Sequence, residues 1–395
     1  MDSKSKRMHL FSIVSLSAVM FGAYSGPGFA SGAQTVSYFL NKGPIGVFTG
    51  PLITGLLCFI FCMLLFEINR IYQPNNYREA YNQIYQGKHL QWFFGNIKEL
   101  QVIVVVIISL ALQISTVAEL IYSIYGVNKT LTRVLFITAV VALSLWGAGF
   151  IRKASSILSV LIVLISLYIG YKCLGPALPG MHAFISSNAT PKDFGYNSQA
   201  FAIFSMFTIV VFFMNGYDAC VPASKGIVKT KKDVLIVSLL TSILCTFMTI
   251  IFTVIFASGM PGVLKQSVPT LWAVTTLGKF NVLGQTLYVV LSIAAMLSTS
   301  MHFIFVVSER FQLPLKGLIK NSTALTRKLI IAVFFVIICA LFSLFGVLNI
   351  VNYGYTIFTM IVGPIMLYPL IISVPYRIMK KNKSLKKVII NTSNN

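Results

Sequence analysis

Acidic residues are scarce in this sequence: nine Asp and Glu stand against 31 Lys and Arg among 395 residues. Charged residues of both signs make up only 10% of the chain, where soluble domains carry about 25%. Long polar stretches are missing too, and mean hydropathy reaches +0.83. These shortages exclude a soluble domain and describe an integral membrane protein. The four histidines and six cysteines form no metal-ligand pattern. Cys58 and Cys62 lie one helical turn apart in an apolar run, where small packing residues are expected, and no disulfide framework is implied. With no nucleophile–base constellation and no polar catalytic domain, an enzyme fits poorly.

What the chain does have is long hydrophobic windows. Ten of them, near 10–40, 44–66, 100–125, 131–150, 154–175, 199–226, 234–259, 280–308, 328–346 and 349–374, are long enough to span a bilayer. The start (Lys4, Lys6, Arg7, then an apolar run toward Ala30-Ser31-Gly32) imitates a signal peptide, but the run outlasts a signal-peptide core. With the N-terminus in the cytoplasm, inside segments hold 24 Lys and Arg and outside segments 7. This bias places both termini in the cytoplasm of a plasma-membrane protein. It also argues against a nucleic-acid partner, because the basic residues are spread over six loops. The expected organisation is one transporter domain over 1–395, with halves at about 10–175 and 199–374 and a basic cytoplasmic tail at 375–395. The tail's Arg377 to Lys387 face the lipid bilayer surface. Asn128-Lys-Thr and Asn188-Ala-Thr match glycosylation triplets that are common by chance. Oligomeric state is left open.

Two windows carry interruptions. Gly26-Pro27-Gly28-Phe29-Ala30-Ser31-Gly32 packs three glycines and a proline into seven residues, which removes an amide donor and weakens helix. The sixth window meets Asn215-Gly216-Tyr217-Asp218-Ala219-Cys220-Val221-Pro222. In hydrocarbon a backbone break survives only where protein or a cavity satisfies it. Paired breaks at corresponding places of two halves point to a transporter binding site. The expected fold is therefore all-α membrane: ten transmembrane helices in a 5+5 inverted repeat, with helices 1 and 6 discontinuous.

Ten spans broken in the first and sixth resemble the LeuT-type fold of the amino acid–polyamine–organocation superfamily. Gly28-Phe29-Ala30-Ser31-Gly32 resembles the Gly-x-Gly-Phe-Ala-Ser-Gly signature of the YkvI family of bacterial membrane proteins. The chain departs from that family at Ala33-Gln34, where the family tends to carry Gln-Glu. Loss of the acid weakens proton coupling at that position. The resemblance implies a permease of amino acids or related zwitterions.

The chemistry agrees. Amides from Ala30 to Gln34 at a helix start suit a carboxylate, with Ser25 and Ser31 adding hydroxyls and Gly26, Gly28, Phe29 and Gly32 shaping the break. Carbonyls expected to be released around Met214, Asn215, Gly216 and Tyr217 suit an ammonium, and Phe212, Phe213 and Tyr217 line a side-chain pocket faced by Gln113, Ser115 and Thr116. Asp218, in the break itself, is the leading ion-coupling residue. Glu119 and His302 are further proton or gating candidates. Ala295, Ser298 and Thr299 share one helix face and, with Gly22 and Ser25, resemble the sodium site of LeuT-type transporters. Na+ or H+ is then the coupling ion, with no other cofactor. A nutrient receptor of the same fold, binding an amino acid without bulk transport, is the alternative.

Overall fold

The computed structural model describes residues 3–24, 30–85, 87–145, 148–319 and 321–393. Among them the chain is helical throughout, without strands. The principal helices are α1 (Ser3–Tyr24), α2 (Ala33–Tyr38), α3 (Ile45–Tyr72), α4 (Tyr77–Ile84), α5 (Lys88–Tyr125), α6 (Lys129–Ser144) and α7 (Ala148–Ile185). They continue with α8 (Gln199–Met206), α9 (Val210–Ser224), α10 (Lys231–Ala257), α11 (Val282–Leu318), α12 (Ala324–Ser343) and α13 (Thr356–Ser393). Among the described residues seven helices are long and apolar enough to cross a membrane, and Arg7–Gly22 and Gln199–Ile209 are shorter apolar helices.

Helix starts follow from local chemistry. Asn76, Asn128, Ser198, Thr230, Asn281 and Thr323 each accept a hydrogen bond from a first-turn amide of the helix that follows. Such caps satisfy donors that a helix cannot pair internally. At Thr230 the cap is reciprocal, because Asp233 accepts from the Thr230 amide while the Thr230 hydroxyl accepts from that of Asp233.

The sixth window behaves differently from its expectation. Residues Asn215 to Pro222 lie inside α9, which runs unbroken from Val210 to Ser224. The irregularity falls earlier, in a 3-10 turn over Phe207–Ile209. There Ser205 donates to the Ala202 carbonyl at 2.7 Å and Thr208 to that of Ser205 at 2.6 Å, bonds that favour a tightened turn. Asn and Gly cost a helix only about 1 kcal/mol each, less than leaving backbone unpaired in an apolar setting.

Packing sorts the helices into two groups. One comprises α1, α3, α9 and α10; the other comprises α5, α6, α11 and α12; α7 touches α1, α10 and α11. One end of the molecule gathers polar ties. His9 meets Asp233 at 2.9 Å, Lys225 donates to Asn75, Arg310 meets Glu99 at 3.0 Å, and Arg377 donates to the Gln83 carbonyl at 2.7 Å. The beginning of α1, the 67–99 connection, the 225–232 connection, the far part of α11 and the tail of α13 therefore share that end. The sequence had grouped these same segments by charge.

Candidate functional site

The first interruption sits between the end of α1 and the start of α2. Ser25, Gly26, Gly28 and Phe29 lie outside the described residues. Beyond them, the Ser31 carbonyl accepts from the Thr270 amide at 3.0 Å, and the Ala33 amide donates to Ser31 Oγ at 3.3 Å. Gly32 adopts φ +82°, and a Cβ there would press into Phe256 and Pro269. Glycine is the residue that both conformation and space permit. Next to it, Gln34 is buried with Nε2 unpartnered.

The α9 helix lies against this junction. Phe213 stacks on Tyr24 with centroids 5.1 Å apart and planes 22° apart, and Tyr24 Oη shares a 3.0 Å hydrogen bond with Thr249 Oγ1. Met214 and Gly216 are buried; Phe212 and Asn215 carry no described side chain. Because α9 is regular, the carbonyls of Met214 to Tyr217 are not released by a break as expected. Tyr217 also turns elsewhere: its hydroxyl donates to Asn69 Oδ1 at 2.6 Å, and its ring meets Phe66 and Tyr81 edge-on. It braces α3 and α4 rather than lining a pocket beside Phe213.

Asp218 is paired. Its Oδ2 lies 2.6 Å from Nζ of Lys98, whose side chain is 0% exposed. The ammonium also donates to Gln101 Oε1 at 3.0 Å and lies 4.9 Å from the Tyr81 ring centre. One residue along α5, Glu99 meets Arg310 at 3.0 Å and Arg78 at 3.7 Å, and accepts from Tyr77 Oη at 3.1 Å. The Lys98–Asp218 pair thus joins α5 of one packing group to α9 of the other. By sequence, Lys98 counted only as a topogenic charge of a loop. In the structure α5 begins at Lys88 rather than near 100 and carries Lys98 into the interior. The signal available was its position two residues before a long apolar run.

The remaining candidates separate. On α11, Ala295 and Ser298 are buried, and Thr299 Oγ1 donates to the Ala295 carbonyl at 3.0 Å. That bond spends the hydroxyl proton within the helix and leaves the oxygen's lone pairs. Gly22 is half-buried on α1, whose main packing partners are α7, α9 and α10. Glu119 pairs with Lys129 at 2.6 Å near the end of α5, partly exposed. His302 lies on α11, and its side chain is outside the described residues. Gln113 accepts from Ser300, which ties α5 to α11, while Ser115 and Thr116 are buried beside it on α5. All six cysteines are buried and free.

A polar cavity of about 290 Å³ opens at the other end, against α2. Ser37, Asn41, Tyr196, Gln266 and Asn352 supply its polar lining, and Ser37 donates to Asn352 Oδ1 at 3.1 Å. Behind it Lys42 is buried, donating to the Ser37 carbonyl at 2.8 Å and Asn41 Oδ1 at 2.6 Å, with the Tyr196 ring 5.0 Å away. Lys42 lies in the turn between α2 and α3, and burial pushes its ammonium down to about 7.

No family model matches this sequence, and no curated protein matches it. Solved structures do. MhsT in complex with L-phenylalanine superposes with a TM-score of 0.58 at 15% identity, covering 94% of this chain and 98% of that one. The inward-facing conformation of Mhp1 gives 0.58 at 16% identity over 88% of this chain and 73% of that one. The Eremococcus coleocola manganese transporter gives 0.55 at 16% identity over 94% and 80%. The fold is LeuT-type. In the MhsT superposition the likeness extends over 94% of this chain.

Proposed function

We propose that the chain is a secondary active transporter of a small amino acid or related zwitterion, cation-coupled and working by alternating access. The observation that carries this reading is the Tyr24–Phe213 stack, which holds the end of α1 against α9 next to the glycine-rich stretch of the sequence, inside a LeuT-type fold. MhsT, with this fold, was solved with L-phenylalanine bound. The substrate site comprises Ser25, Gly26, Gly28, Phe29, Ala30, Ser31 and Gly32 on one side, with Phe213, Met214, Asn215 and Gly216 on the other. In support, the Ser31 carbonyl accepts from the Thr270 amide and Gly32 packs against Phe256 and Pro269 at the proposed site. The YkvI-like signature within it favours an amino acid permease.

Ten crossings in two inverted halves, with both termini in the cytoplasm, belong to the same proposal. The shared end that gathers the basic connections supports that sidedness. Na+ at Gly22, Ser25, Ala295, Ser298 and Thr299 is one coupling route, and protonation at Asp218 is the other. Rocking of one packing group against the other would expose the site first to the polar cavity and then to the opposite end.

Uptake of labelled amino acids into proteoliposomes, with and without sodium or proton gradients, tests this. Gradient-dependent accumulation of one or a few amino acids is expected. Saturable binding without accumulation would replace the transporter with the receptor reading.

A further inference from the structure

We propose that the Lys98 ammonium holds the place of an inorganic monovalent cation on Asp218, so that Na+ or K+ occupies this position only when the lysine withdraws. On the transporter reading this names the built-in counter-charge of the one carboxylate on α9, at a position separate from the Ala295–Thr299 face.

Asp218 offers more acceptors than Lys98 uses. Oδ2 receives the ammonium at 2.6 Å, while Oδ1 is buried without a partner. Pro222 stands four residues further along the same helix and has no N–H to give the Asp218 carbonyl. Gln101 Oε1 lies 3.0 Å from the ammonium, the Tyr81 ring face is 4.9 Å from it, and Tyr81 Oη is buried and unpartnered. Oxygens and an aromatic face around one unit of positive charge make a setting suited to a hard cation. The neighbouring charges do not compete for it. Glu99 is held by Arg78 and Arg310, and the Tyr217 hydroxyl is committed to Asn69.

The pair spans the two packing groups, so any movement of α9 away from α5 must separate it. A buried carboxylate stripped of its counter-charge is strongly disfavoured. A cation entering where Lys98 had been relieves that penalty and couples the movement to ion entry. With Lys98 in place, no inorganic ion is required.

The test measures unfolding of the purified full-length chain in NaCl, KCl and choline chloride at equal ionic strength, without substrate. Lys98→Ala keeps Asp218, Gln101 and Tyr81 and opens room for an ion. It is expected to melt about 3 °C or more higher in NaCl or KCl than in choline, beyond any difference the unmodified protein shows. Lys98→Ala/Asp218→Asn should lose that added response, and Lys98→Arg should never gain it. Equal melting of folded Lys98→Ala in all three salts would overturn the proposal. Should Lys98→Ala fail in choline, its recovery as monodisperse protein in NaCl or KCl supports the proposal, and failure in every salt overturns it. Since no substrate is present, a failed uptake assay leaves this outcome unaffected.

Discussion

Tyr24 and Phe213 stack face to face across the junction of α1 and α9, at 5.1 Å between ring centres. Both rings are buried, so the contact fixes how the interrupted helix meets its neighbour. Offset aromatic pairs contribute about 0.5–1.5 kcal/mol beyond their burial. A double-mutant cycle with Tyr24→Leu and Phe213→Leu should therefore return a coupling of about 1 kcal/mol. Additive effects on the unfolding temperature would show that the rings act independently. If the substrate lies at this junction, both single variants should also weaken ligand-induced stabilisation.

Gly32 is a second point of leverage. Its φ of +82° and the closeness of Phe256 combine against any side chain. Gly32→Ala should destabilise by about 2 kcal/mol or more, the left-handed conformation alone accounting for roughly 1–2 kcal/mol. Adding Phe256→Leu should return part of the loss, the part due to crowding. A Gly32→Ala protein as stable as the original would remove the conformational argument for this junction.

Lys42 yields a pH prediction. Its folded value of about 7 lies below the ordinary 10.5, so between these values the unfolded chain binds the extra proton. Folding stability then rises with pH across that window and loses this increment as pH falls toward 7. The unfolding temperature should climb from pH 7 to 9 relative to Lys42→Met, which lacks the titrating group. Parallel curves for the two proteins would contradict the assignment. Because Ser37 and Asn41 hold Lys42 and also line the polar cavity, ligand entry from that end should change near pH 7, where Lys42 of the folded protein takes up its proton.

Glu119 should matter little. Its pairing with Lys129 is partly exposed, and such pairs contribute about 0–1 kcal/mol. Glu119→Gln should leave unfolding and uptake close to those of the unmodified protein. A loss of uptake with unchanged stability would return Glu119 to the gating role the sequence suggested.

Much of the fold was legible because hydrocarbon imposes simple rules on composition. Seven of the ten apolar windows coincide with helices long and apolar enough to cross a membrane among the described residues, and several of the connections rich in lysine and arginine meet at one end. Within the first interruption, the turn at Gly32 was legible: its left-handed backbone matches what glycine signals in a sequence. Asn215 to Pro222 misled because weak helix formers need not break a helix whose backbone has nowhere else to bond. Lys98 was misread because a window average registers a charge but not its partner, and Asp218 lies 120 residues away in sequence. Tyr217 was expected beside Phe212 and Phe213, but nearness in sequence says nothing about which neighbour a side chain turns toward.

Of the ion pairs among the described residues, all but Lys129–Glu119 belong to the end shared by His9, Glu99 and Arg377. The polar cavity at the opposite end is lined instead by amides and hydroxyls. The two ends of the molecule are therefore tied by different materials. Amides and hydroxyls exchange one partner for water at small net change. Among the ion pairs, Lys98 carries the charge held dry, at 0% exposed, whereas Arg310 is 52% exposed. The Lys98–Asp218 pair is therefore the one that must wait until water or a counter-ion can reach it. One end is built to part readily, and the other to part at its innermost pair only after water has reached it.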